Sequence, residues 1–142
     1  MTRINVIPVY ELSDQHLLAE YRELPRVIKQ NLDLTDTNTR YHLGRGHMKW
    51  ARRHWKFVLN RYYELFTEMI YRGFSPKYSP AELERYVVEL SEEWPYADYI
   101  VDKADITLNR DRIRSRYLAH PDHYKWTRRT KPEWIDGGND EW

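Results

Sequence analysis

Residues 13–28 read SDQHLLAEYRELPRVI, and their periodicity sets the fold class. At about 100° per residue, Leu17, Leu18, Tyr21, Leu24 and Ile28 gather on one side of a helix, while His16, Arg22, Glu23 and Arg26 fall within an arc of about 120° on the other. Such a helix turns one face to a core and the other to solvent or ligand. Ser13 or Asp14 suits its start, because either side chain can accept an unpaired first-turn amide. Pro25 lies inside the pattern and removes one backbone donor, so a kink is expected near Tyr21 to Glu23.

The flanking segments supply the partners this apolar face needs. Before it, residues 2–9 form a short extended start containing Pro8. After it, the polar stretch QNLDLTDTNTR leads to Gly44-Arg45-Gly46, which opens a long second helix from about His47 to Arg72. Gly73 suits the turn that closes it, and Trp50, Phe57, Val58, Leu65 and Met69 form its core stripe. Ser79-Pro80-Ala81-Glu82 starts a third helix, with a capping serine and proline in the first turn. It runs to about Glu92 and ends at Trp94-Pro95. Residues 98–105 read as irregular. Thr107 to Ala119 form a short basic helix stopped by Pro121, followed by the aromatic and basic HYKWTRRTKPEW. The expectation is an all-α, compact single domain of three main helices plus a short basic C-terminal helix, spanning residues 1–134. Residues 135–142, IDGGNDEW, form an acidic tail expected to fray.

Composition narrows the function classes. The chain has 142 residues, 41% of them apolar and 32% charged, which fits one folded domain with a real core. It contains no cysteine, so disulfides, zinc–thiolate sites and thiol nucleophiles are excluded. No apolar run approaches the roughly 18 residues of a membrane span, and no signal pattern opens the chain, so a cytoplasmic location is expected. The six histidines do not cluster with carboxylates at ligand spacing, so no metal and no cofactor is expected.

The net charge of +1 conceals an uneven distribution. Thr37 to Tyr63 holds no acid but carries Arg40, Arg45, Lys49, Arg52, Arg53, Lys56 and Arg61. A second basic block runs Arg110, Arg112, Arg114, Arg116, Lys125, Arg128, Arg129 and Lys131. Basic blocks interleaved with tryptophan and tyrosine suit a polyanion. The glycine turn before His47 offers backbone donors to one phosphate, although it lacks the Gly-Lys-Ser/Thr end of a P-loop.

The amino end supplies a reactive group. Thr2 is small enough for removal of Met1, which would leave a free α-amine. Its ordinary pKa is near 8, and nearby arginines lower it. Such an amine can attack an electrophilic sugar carbon and form an imine. A carboxylate beside it, such as Glu23, would stabilise the cationic transition state and move protons.

The stretches TRIN (2–5), ELSDQHLLAEYRELPRV (11–27), LGRGH (43–47), YRGF (71–74), ADYI (97–100) and HYKW (123–126), with Arg112 and Arg116, resemble the phage-type pyrimidine-dimer DNA glycosylase/AP lyases, the UV-repair endonuclease V family. The likeness covers nearly the whole chain. It implies an N-terminal segment threaded between helices, with the Thr2 α-amine as nucleophile and Glu23 as catalytic carboxylate. It implies that Arg3, Arg22, Arg26, Arg112 and Arg116 hold phosphates, and that Gln15 and His16 line the same site. Gly46, His47, Tyr124 and Trp126 are the remaining expected DNA contacts. The implied substrate is double-stranded DNA carrying UV dimers, kinked and with a base extruded, nicked by β-elimination after base loss. The implied protein acts as a monomer with no obligatory protein partner and no membrane. Two competing readings are a non-catalytic DNA-binding module on the same scaffold and a glycosylase/AP lyase for a different lesion.

Overall fold

The computed structural model describes residues 3–29, 40–87, 92 and 98–136. Among these, the regular elements are helical and no strand occurs. The helices are α1 (Asp14–Glu23), α2 (Pro25–Lys29), α3 (His47–Arg53), α4 (Trp55–Tyr71), α5 (Ala81–Glu84) and α6 (Lys103–Ala119). Short 3-10 turns cover Val9–Glu11, Pro121–His123 and Glu133–Asp136. No helix among the described residues is long and apolar enough to cross a membrane.

Ser13 caps α1, its hydroxyl accepting the His16 amide at 3.1 Å. Leu17, Tyr21, Leu24 and Ile28 are buried as the periodicity requires, and Leu18 packs partly buried against them. Pro25 does more than kink the helix. The α-helical run stops at Glu23 and restarts with Pro25 as the first residue of α2, where a missing amide hydrogen costs nothing.

The long second helix is also two helices. The chain breaks at His54 (φ −99°, ψ 45°), whose Nδ1 and backbone amide both bond the Trp50 carbonyl, at 2.8 and 3.1 Å. A side chain that competes for a helix carbonyl ends the helix without glycine or proline. The close at Gly73 is as expected. Its φ is +91°, and the Phe74 amide reaches back to the Met69 carbonyl at 2.9 Å.

Two boundaries at the C-terminal side differ from expectation. The basic helix is not short. It begins at Lys103 and has 17 residues, the same length as α4. Asp102 and Asp105 form a reciprocal capping box in the stretch read as irregular. The packed body also extends past Trp134, because Ile135 is fully buried and Asp136 pairs with Lys131 at 3.0 Å. Helix α5 starts as expected, with Ser79 accepting the Ala81 amide at 3.3 Å, but ends at Glu84. Residues 88–91 of that expected helix, the Trp94-Pro95 stop and the end of the tail lie outside the described residues.

The N-terminal segment is threaded through the middle of the fold. Ile4, Asn5, Val6 and Ile7 are all buried, so an extended stretch without alternation has core on both faces. Side chains from three helices and from Tyr41, in the non-helical stretch before α3, take its backbone groups in place of a neighbouring strand. The Ile4 amide donates to His47 Nε2 at 2.8 Å, and the Ile4 carbonyl accepts from the Tyr41 hydroxyl at 2.9 Å. Asn109 Oδ1 on α6 accepts the Val6 and Ile7 amides at 2.7 and 3.1 Å. Arg61 on α4 donates to the Ile7 carbonyl.

Candidate active site

The threading delivers Arg3 into a cleft of about 360 Å³ between α1, α6 and the aromatic segment after Pro121. Its walls include Arg3, Gln15, His16, Glu23, Arg116 and Tyr124, six of the residues singled out in the sequence. Asn5, Ala19, Glu20, Ile113 and His123 complete the lining.

The floor is a closed polar network. Glu20 is only 2% exposed. Arg61 grips it through Nε and Nη2 at 2.8 and 3.1 Å, and Asn5 Nδ2 donates to it at 2.8 Å. Asn109 Nδ2 donates to Asn5 Oδ1 at 2.8 Å. Both Glu20 oxygens are therefore engaged. Three positions further along α1, Glu23 is partly exposed, and among the described residues nothing hydrogen-bonds or ion-pairs with its carboxylate. The cleft thus holds one structural carboxylate and one uncommitted one.

Opposite Glu23 the field is positive. The half-buried Arg3 guanidinium has its pKa lowered, first by loss of solvent and then by repulsion from Arg112 and Arg116, with Glu23 acting in the other direction. The Nε atoms of Arg3 and Arg112 are buried without a hydrogen-bond partner. Three guanidiniums that repel one another, two with orphaned donors, form an arrangement that an anion would relieve.

His16 is neutral in this setting. Burial, then Arg116, Arg3 and His123, push its pKa from the usual 6.5 to about 4. Its Nδ1 lies 2.8 Å from Ser13 Oγ, and its ring stacks on Tyr124 with centroids 4.8 Å apart and planes 1° from parallel. Gln15 uses its side-chain oxygen to accept the Lys125 amide at 3.0 Å, so it lines the cleft while tying down the aromatic segment.

Other expected contacts lie elsewhere. Thr2 lies outside the described residues, although its neighbour Arg3 lines the cleft. Arg22 and Arg26 are exposed on the helix surface and Arg112 sits beside Arg3, none of the three lining the cleft itself. Gly46 occupies the cap position of α3 with φ +88°, a backbone conformation that favours glycine. His47 is 2% exposed and has both ring nitrogens engaged, by the Ile4 amide and by the His42 carbonyl at 2.7 Å. A side chain so committed is a buried anchor and offers no surface to DNA. Trp126 donates its indole N–H to the Glu11 carbonyl at 3.0 Å and meets Tyr117 edge-on, so it packs the segment that presents Tyr124.

The residues missed in the sequence are Asn5, Glu20, Arg61 and Asn109. Glu20 had a visible signal, because it follows Leu17 by three and precedes Leu24 by four, on the edge of the apolar stripe. Arg61 sits in the buried stripe of α4 between Val58 and Leu65 in the same way.

The described residues hold no group of three or more His, Asp or Glu side chains placed to bind a metal ion. In comparison with known families, residues 1–82 of the 142 match the model described as pyrimidine dimer DNA glycosylase.

Proposed function

The chain belongs to the pyrimidine dimer DNA glycosylase family, and from that premise we propose that it excises UV-damaged pyrimidines with the α-amine of Thr2 and then nicks the strand as an AP lyase. Membership itself makes the chain a DNA-repair glycosylase acting on DNA. The amine, the carboxylate and the lyase step are this reading's own.

One observation carries it: Arg3, the residue after Thr2, lines a cleft whose one uncommitted carboxylate among the described residues is Glu23, beside arginines of which Arg3 and Arg112 have orphaned donors. A backbone phosphate on each side of the lesion would satisfy Arg3, Arg112 and Arg116 and set the sugar between them and Glu23. Arg22 and Arg26 on the exposed flank would extend the grip along the strand.

The chemistry then follows. The neutral amine attacks C1′ of the deoxyribose, the glycosidic bond breaks, and the base departs with the bonding electrons and takes up a proton. The C1′–O4′ bond opens, O4′ is protonated, and a cationic imine joins Thr2 to the sugar. Loss of a C2′ proton expels the 3′ phosphate and cuts the strand, and water releases the amine. Glu23 stabilises the positive charge as the base leaves and carries the proton in the later step. A neutral His16 stacked on Tyr124 adds an uncharged ring surface at which an extruded base can rest.

The test mixes the protein with an abasic-site duplex and sodium borohydride, and maps any covalent product by mass spectrometry. The expected result is an adduct on the Thr2 peptide of protein lacking Met1. Protein that binds the duplex, lacks Met1 and gives no adduct would instead be a DNA-binding module on this scaffold. An adduct obtained with dimer-free lesions but not after dimer excision would reassign the lesion and leave the chemistry standing.

A further inference from the structure

Ile4 has both of its backbone polar groups held by side chains, and both holders lie outside the cleft. The amide donates to His47 Nε2 at 2.8 Å, and the carbonyl accepts from the Tyr41 hydroxyl at 2.9 Å. Each holder is itself fixed. His47 is the first residue of α3, and its Nδ1 donates to the His42 carbonyl at 2.7 Å, which leaves Nε2 as the acceptor Ile4 requires. The backbone amide of Tyr41 donates to the Tyr99 hydroxyl at 2.9 Å, and that hydroxyl donates to Asp105 at the start of α6 at 2.7 Å. The two rings meet edge-on with centroids 5.7 Å apart, and both pack on the fully buried Trp50.

We infer that Tyr41 and His47 are positioning residues for the N-terminal amine: they clamp Ile4, two residues from Thr2, and so fix where the nucleophile enters the cleft. The inference rests on the reading of Thr2 as nucleophile. Two residues of chain span only about 7 Å, so freedom at Ile4 passes almost undiminished to the amine. Further along, Asn109 and Arg61 hold Val6 and Ile7, but these lie too far from Thr2 to set its direction alone. A nucleophile displaced by about 1 Å loses up to about 100-fold in rate, so a clamp that contacts no DNA can still govern the reaction.

The test separates placement from binding and from folding. The wild type, Tyr41→Phe, His47→Leu and His47→Gln are compared in three measurements. These are the Kd for an abasic duplex, the single-turnover rate of borohydride trapping at saturating duplex, and the pH profile of that rate. Tyr41→Phe keeps the ring and removes only the hydroxyl bond to Ile4. Its trapping rate is expected to fall on the order of 10-fold, with Kd unchanged within about twofold and the amine's apparent pKa unmoved. His47→Leu should fall at least as far. His47→Gln, whose amide oxygen can accept the Ile4 amide, should recover most of the loss. Variants that melt earlier yet trap at the wild-type rate would overturn the inference and leave the clamp a purely structural feature. If His47→Leu does not fold, Tyr41→Phe decides the matter. A wild type that forms no Thr2 adduct would overturn the amine reading and this inference together.

Discussion

Glu20 and Glu23 lie three residues apart on α1 and have opposite surroundings. Glu20 is buried under Arg61 and Asn5, whereas Glu23 has no hydrogen-bond or ion-pair partner among the described residues. Glu23→Gln should leave duplex binding intact and abolish strand cleavage, because the shape survives and the charge does not. Glu20→Ala should instead lower stability by about 3–5 kcal/mol, since it strands a buried guanidinium. Thermal melts and a nicking assay on both variants check this, and the opposite pattern would exchange their roles. Histidine protonation gives a second prediction. Burial, set against the bond to the His42 carbonyl and aided by Arg3, pushes His47 from the usual 6.5 to about 4, and His16 is also displaced to about 4. Between those values the unfolded chain binds protons that the folded chain refuses. Stability should therefore fall as pH drops from about 6.5 to about 4 and become insensitive to these groups below that. Urea denaturation across this range measures the slope, and His47→Gln should reduce it.

At the scale of elements, the segment Tyr124–Arg129 is a strap with two carboxylate anchors, Asp14 and Glu68. Asp14 at the start of α1 accepts the Thr127 amide at 3.0 Å and its hydroxyl at 2.6 Å, while the Asp14 amide donates to the Lys125 carbonyl at 2.7 Å. Glu68 on α4 takes two bonds from Arg129, both 2.8 Å. One fully buried guanidinium, Arg72, joins these carboxylates, at 3.0 Å to Asp14 and 2.8 Å to Glu68. Burial alone would raise the Glu68 carboxyl, but bonds from Arg129 and Arg72 outweigh it and hold it below the usual carboxylate range. Thr127→Val should cost about 1 kcal/mol of stability. It should also weaken binding to damaged duplex, because it loosens Tyr124 over His16, and parallel melts and titrations would show whether both effects occur. Arg72→Ala should cost about 3–5 kcal/mol by leaving the buried Asp14 without its ion pair and Glu68 with Arg129 alone. The helices themselves were legible from periodicity and turn residues. The strap's fastening was not, because Arg72 and Asp14 are 58 residues apart and no local pattern links them. The break at His54 escaped for a related reason: a histidine reaching back to a carbonyl leaves no glycine or proline signature.

At the scale of the molecule, many charges of the two basic blocks are engaged by partners within the fold. Arg61 lies on Glu20, Arg40 on Asp102, and Arg52 caps α2 through the Val27 and Ile28 carbonyls. In the second block Arg110 pairs with Glu11, Arg114 bonds the Trp134 carbonyl, Arg128 bonds the Tyr71 carbonyl and Arg129 pairs with Glu68. Composition could not separate these from Arg112 and Arg116, which alternate with Arg110 and Arg114 along the same helix. What remains near the cleft is Arg3, Arg112 and Arg116, with no carboxylate ion-paired to them among the described residues. The salt dependence of DNA binding should respect this division. Each phosphate neutralised contributes a slope of about 0.9 in log K against log salt. Arg112→Ala should reduce the slope by about one such contact and weaken binding on every sequence. Arg114→Ala, two residues away, should lower the melting temperature and leave the slope unchanged, since its Nε donates to a carbonyl inside the fold. Equal loss of slope in both variants would mean that the whole second block faces the duplex, and Arg3, Arg112 and Arg116 would then lose their claim to set the grip on DNA.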